Sequence, residues 1–142
     1  NMIRRKTIGD SYMCAGGLPL PNKTNAHDAV NAAMDMLAYI ETFNANATFK
    51  LEMRIGINTG RVVAGVIGKS RFAYDIWGDD VNIAARMEQA GAPGRINISG
   101  NTYRYIQHEF QCTFRGMIEA KNKGKVEMYF VDGRKNGALA QA

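Results

Sequence analysis

The stretch Tyr74-Asp75-Ile76-Trp77-Gly78-Asp79-Asp80-Val81-Asn82-Ile83-Ala84-Ala85-Arg86-Met87 decides how this chain is read. It begins as the end of a strand, Arg71 to Ile76. Gly78-Asp79-Asp80 then opens a helix that runs to Ala90, and Gly91-Ala92-Pro93-Gly94 stops it. Asp79 or Asp80 can cap that helix. Val81, Ile83 and Ala84 suit its buried side. Asn82 and Arg86 stand four apart and share a face. One surface then presents an amide that donates and accepts, and a planar guanidinium that matches phosphate oxygens. Taken alone, the same pair also suits the solvent side of an ordinary amphipathic helix.

Upstream, Val62 to Gly68 reads as a strand interrupted by Gly65, and with Arg71 to Ile76 it forms a hairpin. Phe49 to Asn58 is strand-like, with Leu51, Met53, Ile55 and Ile57 on one face and Lys50, Glu52 and Arg54 on the other. Ala26 to Phe43 is the clearest helix: Val30, Ala33, Met34, Leu37 and Ile40 recur at helical steps, Asn25 can cap it, and Asp28 favours its positive end. Downstream, Arg95 to Ser99 is a short strand and Thr102 to Glu109 a short helix. Two last strands, Phe110 to Glu119 and Val126 to Val131, flank the basic loop Lys121-Asn122-Lys123-Gly124-Lys125. The order ββ-α-β-β-β-α-β-α-ββ excludes a doubly wound parallel sheet. It predicts an α+β fold, with helices on a mostly antiparallel sheet. One domain over 1–132 and a loose tail over 133–142 are expected.

At the start, Met2 to Ile8 and Ser11 to Ala15 flank Gly9-Asp10, the signal of a tight hairpin. Lys6 and Asp10 are four apart on alternating strand geometry and so point to one face. Asp10 is a turn former by type. It also suits a hard divalent ion, which takes one or two carboxylates beside substrate phosphates. Lys6 is either a solvated strand lysine or a donor to a purine ring nitrogen.

Composition narrows the class further. The chain has 142 residues, 46% hydrophobic and 22% charged, which is enough for one packed core and argues against disorder. The net charge of +5 suits an anionic partner, whether nucleotide, nucleic acid or membrane. Cys14 and Cys112 lie far apart without a CxxC, which suits free thiols in a reducing compartment. No apolar run is long enough to span a bilayer. There are no paired strand aromatics of the kind that read RNA. His27 and His108 have no evident catalytic partner.

Four stretches together carry a resemblance: Lys6-Thr7-Ile8-Gly9-Asp10, Met53-Arg54-Ile55-Gly56-Ile57-Asn58-Thr59-Gly60, Tyr74 to Met87, and the Lys121 loop with Tyr129-Phe130-Val131. In this order and spacing the chain resembles the class III nucleotidyl cyclase catalytic domain, over Ile3 to Val131. The resemblance implies a ferredoxin-like βαββαβ core, paired head to tail as a homodimer or with another cyclase domain, with active sites at the interface. It implies conversion of ATP to 3′,5′-cyclic AMP and pyrophosphate, through in-line attack of the ribose 3′-oxygen assisted by two Mg²⁺ or Mn²⁺ ions. Asp10 resembles a metal-binding aspartate. Lys6 and Asp75 resemble the adenine-reading pair, which in guanylate cyclases is typically Glu and Cys. Asn82 and Arg86 resemble the residues that orient the ribose and stabilise the transition state. Arg54 and Lys121 resemble the triphosphate contacts.

Two departures from the family pattern stand out. The family's first metal-binding aspartate, on an opening strand followed by a helix, precedes the segment where this chain starts. The chain is therefore expected to be truncated at its N-terminus and inactive by itself. The lysine loop reads Lys-Asn-Lys where Lys-Gly-Lys is frequent. A cytoplasmic domain, whether or not of a membrane-anchored parent, is expected, without nucleic-acid or membrane contacts of its own. A degenerate cyclase that binds nucleotide as a regulatory module is the alternative.

Overall fold

Two helices and a third short one pack on both faces of a four-stranded sheet in a computed structural model of the chain. The structure describes residues 2–8, 11–17, 23–60, 63–67, 73–120 and 123–135, and for 2–8, 63–67 and 73–77 it describes the backbone. Along the chain come β1 (Met2–Ile8), β2 (Ser11–Gly16), α1 (Asn25–Asn46), β3 (Ile55–Ile57), β4 (Val63–Ile67) and β5 (Ala73–Trp77). Then follow α2 (Asp79–Gln89), β6 (Ile96–Ser99), α3 (Gly100–Ile106), β7 (Phe110–Ala120) and β8 (Gly124–Arg134). The main sheet has the order β3-β6-β8-β7, while β1-β2 and β4-β5 form separate antiparallel hairpins. Only β3 and β6 pair in parallel among the described strands, so the α+β expectation and the mostly antiparallel sheet both hold.

The alternation along β6 sorts the helices. Ile96 and Ile98 face α1 and α3 and join Ala26, Val30, Ala33, Ile106, Phe110 and Val131 in the larger core. Asn97 faces the other way, and its side-chain amide donates to the carbonyl of Met87 on α2. Ile83 and Met87 of α2 then pack with Ala120 and Met128. All four residues of β6 are buried, as a central strand covered on both faces requires.

Several boundaries differ from the sequence expectation, each for a local reason. The strand expected from Phe49 shrinks to Ile55–Ile57. Residues 49–51 instead fold back on the end of α1, where Asn44 accepts from the Leu51 N–H at 2.8 Å and donates to the Leu51 carbonyl at 2.9 Å. A side-chain amide thus mimics a strand partner, and Phe49 meets Phe43 edge to face. α1 also runs three residues past Phe43. α3 starts at Gly100, earlier than expected, because the Ser99 hydroxyl accepts from the Thr102 N–H and caps it. β8 continues through Gly133 and Arg134, two residues into the expected tail. There Arg134 donates to Asn31 and the Lys135 N–H to the Glu109 carbonyl. The rest of that tail, 136–142, lies outside the described residues.

Candidate active site

β5 delivers the chain into α2 through Gly78, whose φ of +124° lies in the left-handed region that glycine tolerates. No side-chain cap of this helix is present among the described residues. Gly78 occupies the N-cap, so Asp79 and Asp80 become its first residues, near the positive end of the dipole. Asp80 is anchored from the end of β3: the Asn58 amide donates to its carbonyl at 2.9 Å and to its carboxylate at 3.1 Å. Asn58 in turn accepts from the Ser99 hydroxyl at 2.6 Å, and Thr102 bridges Ser99 to Thr59. This polar cluster ties the start of α2 to the ends of the two parallel strands. It involves Asn58, Thr59, Ser99 and Thr102, none of which the sequence had marked as functional. Their signal was slight: Asn58 and Thr59 follow β3, Ser99 ends β6 and Thr102 stands in the first turn of α3.

From that fixed start, Ile83 and Met87 turn into the core and leave Asn82 and Arg86 exposed on α2. Arg86 reaches across to β7 and donates from Nη2 to the Glu119 carbonyl at 3.1 Å. Glu119 stands at the end of β7, just before the turn that carries Lys121, so the structure brings Arg86 beside the basic loop. Lys121 itself lies outside the described residues, as does Asp10. Asp10 follows Gly9 between Ile8 and Ser11, which pair across the β1–β2 hairpin. Lys6 is on β1 opposite Met13, and Asp75 is on β5 opposite Gly65. β1 and β5 come into contact, which puts the backbones of the expected base-reading pair on adjoining strands.

Arg54 behaves differently from the other expected residues. Its Nε lies 2.9 Å from the Glu88 carboxylate, so its guanidinium spends one face on α2, near the helix's C-terminal end. Beside it, α2 lies directly on β3 at Gly56. A Cβ there would come within 2.0 Å of the Glu88 nitrogen.

Among the described residues no three His, Cys, Asp or Glu side chains converge to hold a metal ion. The one carboxylate that the sequence offers for that purpose is Asp10, an oxygen donor suited to Mg²⁺. Neither cysteine is activated as a thiolate. Burial, and then the Asp132 carboxylate, push the Cys112 thiol up to about 11, and burial raises Cys14 as well. His27 sits 3.5 Å from the Glu109 carboxylate, joining α1 to the start of β7, far in sequence from α2. No described helix is long and apolar enough to cross a membrane.

The profile of the family described as "Adenylate and Guanylate cyclase catalytic domain" matches residues 1–133. An adenylate cyclase of Mycobacterium bovis is 37% identical over 133 residues, covering 94% of this chain and 30% of that protein. The guanylate cyclase soluble subunit beta-2 of Rattus norvegicus is 39% identical over 133 residues, covering 92% of this chain and 20% of that protein. The chain thus spans less than a third of the length of these curated relatives. Among solved structures, the guanylate cyclase domain of RhGC from Catenaria anguillulae, in complex with GTP, superimposes with a TM-score of 0.86 at 38% identity. That match covers 94% of this chain and 74% of the other.

Proposed function

The chain belongs to the adenylate and guanylate cyclase catalytic domain family, and from that premise we propose that it is the substrate-side half of an adenylate cyclase site. The carrying observation is the exposed Asn82 and Arg86 pair on α2, with the Arg86 guanidinium at the foot of the β7–β8 turn. A triphosphate bound between α2 and that turn meets Arg86, and Lys121 is assigned as its second cationic contact from the family resemblance alone. Asn82 holds the ribose so that its 3′-oxygen lies in line with the α-phosphorus. As that oxygen attacks and pyrophosphate leaves, negative charge gathers on the phosphoryl oxygens, where Arg86 donates. Alignment and charge stabilisation together carry the rate, and no covalent intermediate on the protein is needed.

Relatives in this family act on either nucleotide, so the choice of base rests on Lys6 and Asp75. Adenine presents a ring-nitrogen acceptor and an amino donor, which an ammonium and a carboxylate complement. Arg54, already paired with Glu88, acts here by holding α2 on β3 and reaches a phosphate only by leaving that pair. A divalent metal, Mg²⁺ or Mn²⁺, would be held through Asp10 and, when bound, would neutralise charge on the triphosphate. In a paired domain, Asp10 of one subunit faces Lys6, Asp75, Asn82, Arg86 and Lys121 of the other.

The test mixes this chain with a relative's cyclase domain that keeps both metal aspartates but has its own Asn and Arg of the pair replaced by alanine. The altered partner alone should make no product, and the mixture is compared with the chain alone. The mixture should convert ATP, and not GTP, to the cyclic nucleotide. Cyclic GMP as the main product refutes the adenine assignment. A mixture that binds ATP but yields no product favours a regulatory module instead.

A further inference from the structure

The C-terminal end of α2 is gripped from β7 by a side chain that the cyclase reading leaves unused. Arg115 donates from Nη1 to the Ala90 carbonyl at 2.7 Å. That carbonyl belongs to the last turn, where helix acceptors lack partners and a cation is favoured by the dipole. The Arg115 guanidinium also lies 4.0 Å from the centroid of the Phe130 ring, and the Arg95 guanidinium lies 4.0 Å from the same centroid. Both guanidinium groups therefore rest on the Phe130 ring. Arg95 is itself fixed by the Asp132 carboxylate at 2.9 Å, whose second oxygen accepts from Thr113. Arg115 is therefore the end of a braced column rather than a loose surface side chain.

The column bears on Arg86 through two bonds. The Ala90 N–H donates to the Arg86 carbonyl at 2.9 Å, so the residue that Arg115 holds is bonded to the backbone of Arg86. The Arg86 side chain rests on the Glu119 carbonyl, four residues along β7 from Arg115. One strand thus fixes this turn of the helix twice, once by backbone and once by side chain.

We propose that Arg115, braced by Phe130, is a positioning residue that sets where Arg86 stands. The proposal rests on the role given to Arg86 above. Arg115 touches no substrate. Without it the Ala90 carbonyl turns to water, the last turn of α2 loosens, and Arg86 loses its fixed place.

Arg115→Ala and Phe130→Leu test this by two readouts. Backbone hydrogen exchange on the chain alone needs no turnover. In Arg115→Ala the Ala90 and Gly91 amides should exchange about fivefold faster or more, while Ile98 in the central strand is unchanged. In the mixture described above, kcat should fall by about 10- to 100-fold with KM for ATP within about twofold. Phe130→Leu, which keeps Arg115 but removes its brace, should show a smaller loss in the same direction. Unchanged exchange at Ala90 overturns the proposal, as does faster exchange with an unaltered kcat. A raised KM at constant kcat also overturns it, because Arg115 would then be touching substrate. A parent mixture that makes no product defeats the cyclase reading, and the exchange result still decides whether Arg115 holds α2.

Discussion

Replacing Gly56 by alanine adds a single methyl group where α2 lies on β3, and its effect can be worked from the distances. The new Cβ would stand 2.0 Å from the Glu88 nitrogen, 2.5 Å from the Met87 carbonyl carbon and 2.6 Å from the Glu88 Cα. All three are backbone atoms of a helix, so no side chain can swing aside. Ordinary contact begins near 3.4 Å, so helix and strand must separate by about 1.4 Å along the closest approach. β3 is held by its pairing with β6, so α2 takes most of the movement. Overpacking of this kind costs about 1–3 kcal/mol. For a domain of this size, that lowers Tm by about 3–10 °C. The activity loss is expected to be larger than the stability loss suggests. The Arg86 bond to Glu119 is 3.1 Å long and breaks under a shift of that size. Misplacement by about 1 Å can cost about 10²-fold in rate. The assay pairs a melting curve with kcat in the reconstituted mixture. A Gly56→Ala protein that melts with the parent and turns over at the parental rate would refute the packing of α2 on β3.

Three further outcomes are expected. Arg86→Ala should lower kcat by about 10²–10³-fold, as the loss of a transition-state donor does, while ATP affinity measured by calorimetry hardly changes; equal losses in both remove its assigned role. The double change Lys6→Glu with Asp75→Cys should move the preference of the mixture from ATP to GTP, and a mixture that stays selective for ATP shows that other residues read the base. Burial and the Asp132 carboxylate raise Cys112 in the folded state from 9.0 to about 11, so the folded chain keeps a proton that the unfolded chain releases. Stability from this group is therefore complete below pH 9 and is lost as pH rises towards about 11. Urea titrations across that range should show the decline, and Cys112→Ala should flatten it.

How much of this was legible in the sequence depended on what set each feature. α1, α2 and the first two hairpins followed from periodicity and turn residues, because amphipathic burial and glycine-containing turns act locally. The Asn82 and Arg86 face was legible for the same reason, since i and i+4 share a helix side whatever lies beneath. The extent of β3 was not. Its alternation from Phe49 looked like a strand, yet the Asn44 amide captured Leu51 and ended the pairing, an outcome set by the end of a helix elsewhere. The pairing of Arg54 with Glu88 was also out of reach, because it needs α2 to lie across β3. The Asn58, Ser99 and Thr102 cluster forms only where two parallel strands end side by side, and the sequence shows those strands far apart. Arg115 gave no signal at all, since an arginine on a strand is commonplace until a helix end appears above it.

The parallel pairing of β3 with β6 also sets an order of events during synthesis. β7 and β8 are joined by a short turn and can zip together as soon as both leave the ribosome. Ile55–Ile57 emerges earlier but has no partner until Ile96–Ser99 follows, after β4, β5 and α2 have been made. Contacts between distant segments form slowly, since the loop between them must be closed first. For that interval the growing chain carries α1 with Val30 and Ala33 uncovered, awaiting the strand that will bury them. A nascent chain stalled between α2 and β6 should therefore be more protease-sensitive than the finished chain.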